Sequence, residues 1–162
     1  MTTSEYNQCV RELADGLYRF AWKSIGDAEE AKDMVQQAFT VLWEKREEVP
    51  PDKGKSFLFT VAYRKCMDVH RARGRTTGTE QLQDYALTEA PKNNNELKKL
   101  LQQALATLDQ QSRNLVLLKD YEGYSYEEIA KVTALNTTQV KVYLHRARKT
   151  LKQYLVSKEH II

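Results

Sequence analysis

Apolar residues recur every three or four positions along most of this chain, which is the spacing of amphipathic α-helices. In the first half the pattern predicts a helix from Glu5 to Ser24, a second from the N-cap Asp27 to Pro50, and a third from Lys55 to about Arg73. Along the second of these, one face is apolar and the opposite face is polar. The first half is therefore predicted to be a small helical domain.

The second half carries two capping signals close together. Ser125 with Glu128 forms a capping box that opens a short helix, and Asn136 with Gln139 opens a long helix that contains no Pro or Gly. Only residues 133–135 separate the two, so they are predicted to form a helix-turn-helix. Leucine-rich segments at 96–107 and 109–123 predict two further helices that pack beneath it.

The turn between these helices departs from the usual pattern at one position. Ala134 stands where glycine is common, so in a turn of the common kind this alanine must adopt a less favourable backbone conformation. The cost is about 1 kcal/mol, which a folded domain tolerates.

Residues 74–95 differ in character from both halves. The segment is polar and contains clusters of Gly, Thr and Asn, which is typical of a flexible linker. The predicted fold class is all-α. It consists of two small helical domains, residues 1–73 and 96–162, joined by a flexible linker at 74–95, with the helix-turn-helix in the second domain.

Charge is distributed unevenly along the 162 residues. The net charge is only +3, yet Asp27 to Glu48 holds seven acids against three bases, and Ile129 to Lys158 holds seven bases and no acid. This segregation indicates two partners of different charge, one for each half. The hydrophobic content of 41% is enough for a packed core.

The composition argues against an exported or membrane protein. Cys9 and Cys66 are the only cysteines, too few for a disulfide framework, and a reduced cytoplasmic protein is expected. The N-terminus does not resemble a signal peptide, and no apolar run approaches the roughly 18 residues that a membrane helix needs. Membrane insertion is therefore not expected.

The chain shows no recognisable catalytic motif. It has no nucleophile elbow, no phosphate-binding glycine loop and no Ser/His/Asp grouping. Cys66 and His70 have the spacing of a metal-ligand pair on a helix, but the neighbouring residues offer no further ligands. We therefore expect no enzyme, no catalytic residues, no metal site and no cofactor.

The long helix that follows Asn136 has an apolar face and a basic face. The apolar face comprises Val140, Leu144, Ala147, Leu151 and Tyr154. The opposite face comprises Thr138, Lys141, His145, Arg148 and Lys152. Short polar side chains at the N-terminus and cations along the outer face suit a helix that enters a DNA major groove. The alternative is a helical hairpin with a solvated, lysine-rich face.

Two surfaces of the first half carry candidate binding residues. The polar stripe of the second helix comprises Asp33, Gln36, Gln37, Thr40 and Glu44, and it either contacts a partner or is simply solvated. On the third helix, the residues predicted to remain outside the core are Tyr63, Arg64, Lys65, Arg71 and Arg73. Aromatic rings for unpaired bases beside cations for phosphates would form a single-strand binding surface. Aromatic residues in the core and cations in solvent are the alternative.

Three segments, in this order, resemble the bacterial sigma factors of the extracytoplasmic-function group, the smallest of their kind. Segment 27–43, DAEEAKDMVQQAFTVLW, resembles the part of those proteins that grips the clamp helices of RNA polymerase. Segment 57–73, FLFTVAYRKCMDVHRAR, resembles the part that melts and recognises the promoter −10 element. Segment 108–151, which includes VKVYLHRARKTL, resembles the domain that recognises the −35 element.

The resemblance implies three sets of binding residues. Polymerase contacts would be Asp33, Gln36, Gln37 and Thr40. Contacts to the −10 element would be Lys53, Lys55, Ser56 and Phe57, where the family holds a flipped base, and Tyr63, Arg64, Arg71 and Arg73. Contacts to the −35 element would be Thr137, Thr138, Gln139, Lys141, Val142, His145, Arg146 and Lys149. Arg64 stands where the family commonly has Asn, so the family's −10 base preference is not carried over.

The resemblance also implies a function and partners. It predicts a sigma factor that binds core RNA polymerase and directs promoter-specific initiation by recognising the −35 element and melting the −10 element. Core RNA polymerase and promoter DNA are the expected partners, and an anti-sigma factor is a candidate third. A stand-alone helix-turn-helix regulator would explain the second half but leave the first without a role. An adaptor that binds no DNA is a further alternative.

Overall fold

The computed structural model describes residues 1–77 and 96–158, and most of its helices begin at the predicted N-caps. The first stretch contains α1 (Thr3–Ile25), α2 (Ala28–Glu44), a 3₁₀ turn (Pro51–Lys53) and α3 (Gly54–Thr77). Gly26 ends α1 in a left-handed conformation, and Asp27 caps α2 by accepting hydrogen bonds from two backbone amides. Residues 78–95, most of the predicted linker, lie outside the described residues.

Two helices of the first half differ in length from the prediction. α2 ends at Glu44, well before Pro50, because the chain turns at 45–49 and brings Val49 into the core. α3 extends beyond Arg73 to Thr77, so the predicted linker begins within a helix. Asp27 and Glu30 have the spacing of a capping box, but only the Asp27 half is present, since the Glu30 carboxylate pairs with Arg73 of α3. At both ends of α2, therefore, a tertiary contact competes with the local signal.

The second stretch contains α4 (Glu96–Ala106), α5 (Gln110–Val116), a π-helical turn (Leu117–Tyr121), α6 (Tyr126–Thr133) and α7 (Thr137–Ser157). Asp109 caps α5, and the capping boxes predicted at Ser125 and Asn136 are both present. Ala134 has a φ of 64°, in the left-handed region, which confirms that this alanine adopts a less favourable backbone conformation in the turn of the helix-turn-helix. The π-helical turn was not predicted, because no sequence signal marks it.

The two halves share one continuous hydrophobic core. α6 lies against α3, and α5 and the π-helical turn lie against α1. Phe59 of α3 packs edge to face on Tyr124, which precedes α6, with ring centroids 4.9 Å apart. We call this packing of the second half against α1 and α3 the closed arrangement. The sequence predicted the two domains but gave no information about this placement.

A buried polar cluster also joins the two halves. Arg113 of α5 donates hydrogen bonds to the carbonyl oxygens of Leu105 and Leu108 at 3.1 and 3.0 Å, and to that of Ser24 in α1 at 2.7 Å. Ser24 and Leu105 lie near the C-termini of their helices, where the helix dipole is negative. The Ser24 hydroxyl in turn donates to the side-chain oxygen of Asn114. A buried guanidinium is thus stabilised by carbonyl groups from both halves.

Candidate polymerase-binding and nucleic-acid surfaces

The polar stripe of α2 faces solvent along its length. All four residues predicted to contact polymerase are exposed: Asp33, Gln36, Gln37 and Thr40. The opposite face of the helix is buried through Ala31, Ala38 and Leu42. The stripe is therefore one continuous exposed surface, and its side chains are not part of the hydrophobic core.

Two further features border this stripe, and the sequence analysis did not assign them to it. Lys65 of α3 lines a groove between α2 and α3 together with Asp33, Gln37 and Thr40. Trp43, three residues after Thr40 and so on the same side of the helix, is 38% exposed and carries the Arg46 guanidinium 3.7 Å from its ring centroid. The i, i+3 spacing of Thr40 and Trp43 was the signal that could have revealed the second feature.

The residues predicted to hold a flipped base surround the start of α3. Lys53 is exposed, whereas Lys55, Ser56 and Phe57 are partly buried. The Lys55 ammonium lies 3.6 Å from the Glu128 carboxylate and 3.9 Å from the centroid of the Tyr124 ring. Both partners belong to the second half. In the closed arrangement, the second half therefore engages a residue that the resemblance assigns to DNA.

The predicted exposure of Tyr63 is wrong for the closed arrangement. Its side chain is 7% exposed, and burial raises the pKa of its hydroxyl although a hydrogen bond with Gln111 of α5 opposes the shift. Arg64, the next residue, is exposed as predicted. Helical periodicity predicts that Tyr63 is exposed on the first half. In the structure, the second half covers this side chain.

The two cations predicted near the end of α3 behave differently from each other. Arg71 is exposed and pairs at 2.7 Å with Asp68, one turn earlier on the same helix. Arg73 instead donates hydrogen bonds to the Ile25 carbonyl at 2.6 Å and to Glu30 at 3.0 Å. The prediction that the Arg73 side chain remains available outside the core is therefore wrong here, because its guanidinium links α3 to the end of α1 and the start of α2.

An ion pair with two hydrogen bonds lies at the edge of the closed arrangement. Arg19 of α1 donates two hydrogen bonds, at 2.7 and 2.8 Å, to the Glu122 carboxylate, and the pairing raises the pKa of the guanidinium. A methyl group added at Gly16 would lie only 3.0 Å from the same carboxylate. The glycine therefore leaves the space in which Glu122 packs against α1.

His70 lies in the buried cluster, where its Nε2 atom is 3.0 Å from the Ser24 carbonyl oxygen. Burial, followed by the charges of Arg113 and Arg73, lowers its pKa to about 4, so the ring is neutral at pH 7. Burial also raises the pKa of the Cys66 thiol to about 12, and this thiol contacts the sulfur of Met34. Across residues 1–77 and 96–158, no group of three metal-ligand side chains comes together.

The outer face of α7 is open. Of the residues predicted to contact the −35 element, only Thr137 is partly buried, and these are exposed: Thr138, Gln139, Lys141, Val142, His145, Arg146 and Lys149. The Gln139 side chain is engaged locally, since its oxygen accepts a hydrogen bond from the Asn136 amide at 3.0 Å. Val140, Leu144 and Ala147 fix the opposite face in the core. The predicted division of the helix into two faces is confirmed.

Arg148, on the same outer face of α7, is held by an ion pair. Its guanidinium donates two hydrogen bonds, at 2.6 and 3.1 Å, to Asp120 in the π-helical turn. Close by, the ring of Tyr126 lies beneath two lysine ammonium groups, that of Lys119 at 4.5 Å and that of Lys141 at 5.2 Å from the ring centroid. The sequence analysis missed Lys119 and Tyr126 because both lie outside α7.

No helix in the described part of the chain has the length and apolar character needed to cross a membrane.

Comparisons with known proteins identify both halves. Residues 9–76 match the family model for Sigma-70 region 2, and residues 98–151 match that for Sigma-70, region 4. The chain is 31% identical over 157 residues to the ECF RNA polymerase sigma factor SigE of Mycolicibacterium smegmatis, covering 93% of this chain but only 61% of that relative. It is 30% identical over 147 residues to the ECF RNA polymerase sigma factor SigL of Mycobacterium tuberculosis, covering 87% of this chain and 83% of SigL.

A solved structure shares the fold over both halves. The sigma factor RpoE from Bartonella quintana, crystallised in complex with the anti-sigma factor NepR, superimposes with a TM-score of 0.76 at 24% identity, over 94% of this chain and 98% of RpoE. Because the match covers nearly all of both chains, the packing of the two halves is included in the likeness.

Proposed function

This chain belongs to the extracytoplasmic-function sigma factors of bacteria, the subunits that bind core RNA polymerase and direct promoter-specific initiation. We propose that three surfaces of the chain divide this work. The observation that carries the proposal is the presence of two sigma regions, in order, together with an exposed polar stripe on α2 and a basic outer face on α7. Sigma factors are non-catalytic, and such a subunit acts in the cytoplasm, where the chromosome lies.

The stripe on α2 is the proposed contact with core polymerase. Asp33, Gln36, Gln37 and Thr40 are exposed, and they take no part in holding the two halves together. The groove that Lys65 lines beside them adds a cation to an otherwise acidic and neutral surface. A partner with polar side chains of both signs is thus accommodated without burying an unpaired charge.

The start of α3 is the proposed site for the melted −10 element. Lys53, Lys55, Ser56 and Phe57 cluster there, with Arg64 exposed two turns further along the helix. A cation beside an aromatic ring suits an unstacked base and its phosphate. The closed arrangement limits access, because Glu128 and Tyr124 already engage Lys55 and the second half covers Tyr63.

α7 is the proposed reader of the −35 element. Lys141, Val142 and His145 lie on its N-terminal half, which in a helix-turn-helix faces base edges. Lys149 comes later on the helix and is placed to meet phosphate groups, which fix position without reading sequence. Recognition and affinity are therefore assigned to different residues of one helix.

Recognition of both elements at once requires the closed arrangement to open. Two promoter sites about two helical turns apart are separated by roughly 70 Å, whereas a packed unit of this size is about 40 Å across. The two halves must separate for each to reach its site. The closed arrangement is then a storage form, and an anti-sigma factor that binds it would keep the chain from polymerase, a role consistent with the fold shared with RpoE bound to NepR.

Reconstituted transcription tests the proposal. Purified protein is added to core polymerase, and transcript starts are mapped across genomic DNA. New starts that share sequence motifs at −35 and −10 are the expected result. Binding to promoter fragments without polymerase, and no new starts with it, would indicate a stand-alone regulator. No binding to promoter DNA under either condition would indicate an adaptor.

A further inference from the structure

Tyr126 occupies a central position beside the recognition helix, although it is not part of it. It is the first residue of α6, and its backbone is fixed by the capping box between Ser125 and Glu128, with hydrogen bonds of 2.9 and 3.1 Å. Its ring is partly exposed, on the side of the domain from which α7 projects Lys141. The ring is therefore a surface feature with a rigid base.

Arg148 of α7 lies near the hydroxyl end of the Tyr126 side chain. The pKa of its guanidinium is raised mainly by the hydrogen bond to Asp120, and the nearby Tyr126 adds to this shift. Arg148 is itself held by two hydrogen bonds to Asp120. The Tyr126 ring therefore lies between the capping box of α6 and the Arg148–Asp120 pair, with Lys141 over the ring.

This ring contacts the side chain proposed to recognise a base. The Lys141 ammonium lies 5.2 Å from the centroid of the Tyr126 ring, within the range of a cation–π contact. A free lysine side chain has many rotamers, and each contact that selects among them reduces the entropy lost when the side chain binds DNA. Of the seven exposed residues assigned to the −35 element, Lys141 is the one for which such a contact is found among the described residues.

We propose that Tyr126 is a positioning residue for recognition of the −35 element, holding Lys141 on its ring so that the ammonium group points at one base pair. The proposal rests on the assignment of α7 as the reader of that element. Tyr126 does not read sequence itself. Its contribution is to sharpen the preference at the base pair of Lys141, by about 2- to 5-fold for a contact of this kind at an exposed site.

Selection from a promoter library with a randomised −35 element tests the proposal, using holoenzyme reconstituted from core polymerase and the full chain. Tyr126→Leu keeps the apolar bulk and removes the ring face, so it should reduce the preference at one base pair by about 2- to 5-fold. Tyr126→Phe keeps the ring and should retain that preference. Lys119→Gln is the matched control: it removes the other cation on the ring and should leave the preference unchanged.

A double mutant separates positioning from a merely structural role. In a Lys141→Gln background, Tyr126→Leu should cause no further loss of preference, because the side chain it positions is absent. A preference that survives Tyr126→Leu, or a loss of the same size in the Lys141→Gln background, would overturn this proposal alone. A wild-type holoenzyme without any −35 preference would instead overturn the assignment of α7, and this proposal with it.

Discussion

Replacing Arg19 by alanine is expected to open the closed arrangement and thereby strengthen binding of single-stranded −10 DNA to the free chain. The guanidinium pairs with Glu122 across the two halves, and the carboxylate packs against α1 beside Gly16. Without Arg19, the closed arrangement would hold a nearly buried carboxylate that has lost its hydrogen-bonded cation, whereas opening would return the carboxylate to water. The substitution thus penalises the closed arrangement without removing a core side chain from either half.

The size of the effect follows from the exposure of the two partners. Breaking a buried ion pair by removing one partner costs about 3–5 kcal/mol, and an exposed pair contributes only about 0.2–1 kcal/mol. The Glu122 side chain is 5% exposed and that of Arg19 is 47% exposed. We therefore expect an intermediate cost of about 1–2 kcal/mol, which raises the ratio of open to closed molecules by about 5- to 30-fold.

Fluorescence anisotropy with a labelled single-stranded −10 oligonucleotide measures this shift. While the closed form predominates, the apparent dissociation constant is inversely proportional to the open fraction, so it should fall by the same factor. Arg11→Ala is the matched control, since it removes an exposed arginine from the same helix. Loss of a positive charge by itself weakens DNA binding, so the two variants should change affinity in opposite directions.

Equal affinities of the Arg19→Ala and Arg11→Ala variants for the oligonucleotide would refute this reasoning. The second half would then not restrict access to Lys55 and Tyr63, and opening would not be required for −10 binding. Circular dichroism should show the same helicity in both variants and the wild type. A loss of helicity in Arg19→Ala would mean that the ion pair stabilises the helices themselves and does not only favour the closed arrangement over the open one.

Three further predictions concern the other surfaces and the buried cluster. Replacing Asp33 and Gln37 together by alanine should weaken binding to core polymerase in a pull-down titration, while the free energy of unfolding changes by less than about 0.5 kcal/mol; unchanged affinity would remove this face from the model. Lys141→Ala should change which −35 sequences are selected, whereas Lys149→Ala should weaken all promoters alike and reduce the salt dependence by about one unit of slope. Because the pKa of His70 is lowered from 6.5 to about 4 in the folded chain, the folded state binds fewer protons than the unfolded state between those values. Unfolding free energy should therefore decrease as the pH falls from about 6.5 to 4, by at most about 1.4 kcal/mol per unit, and denaturant titrations of a His70→Asn variant should lack this contribution.

Helix boundaries marked by local signals could be predicted because such signals act over only a few residues. The capping boxes at Ser125 and Asn136, the cap at Asp109 and the left-handed Gly26 all involve neighbours within one turn, so the sequence contains both partners side by side. The same holds for the faces of α7, where a period of 3.6 separates buried from exposed positions. The end of α2 could not be predicted in this way, because Val49 leaves the helical path to reach a core formed by distant segments.

The candidate sites show the same difference between features set by local sequence and features set by distant residues. The exposed stripe of α2 and the outer face of α7 follow from helical periodicity, and the order of three segments was enough to indicate the family. The burial of Tyr63, the engagement of Lys55 and the pairing of Arg148 with Asp120 depend on residues far away in the sequence. Periodicity indicates only that a side chain lies outside its own helix. It gives no information about which other helix then covers that side chain.

By itself, therefore, the sequence determined the helices, several of their caps, the two-domain composition and the family, but not every helix end. Only the tertiary structure decided that the second half closes over the start of α3, and that Tyr126 lies beside α7. The physical reason is that caps and amphipathic faces arise from interactions within a few residues. The closed arrangement arises instead from Phe59 against Tyr124, Arg19 with Glu122 and the buried guanidinium of Arg113, contacts that exist only once both halves are folded.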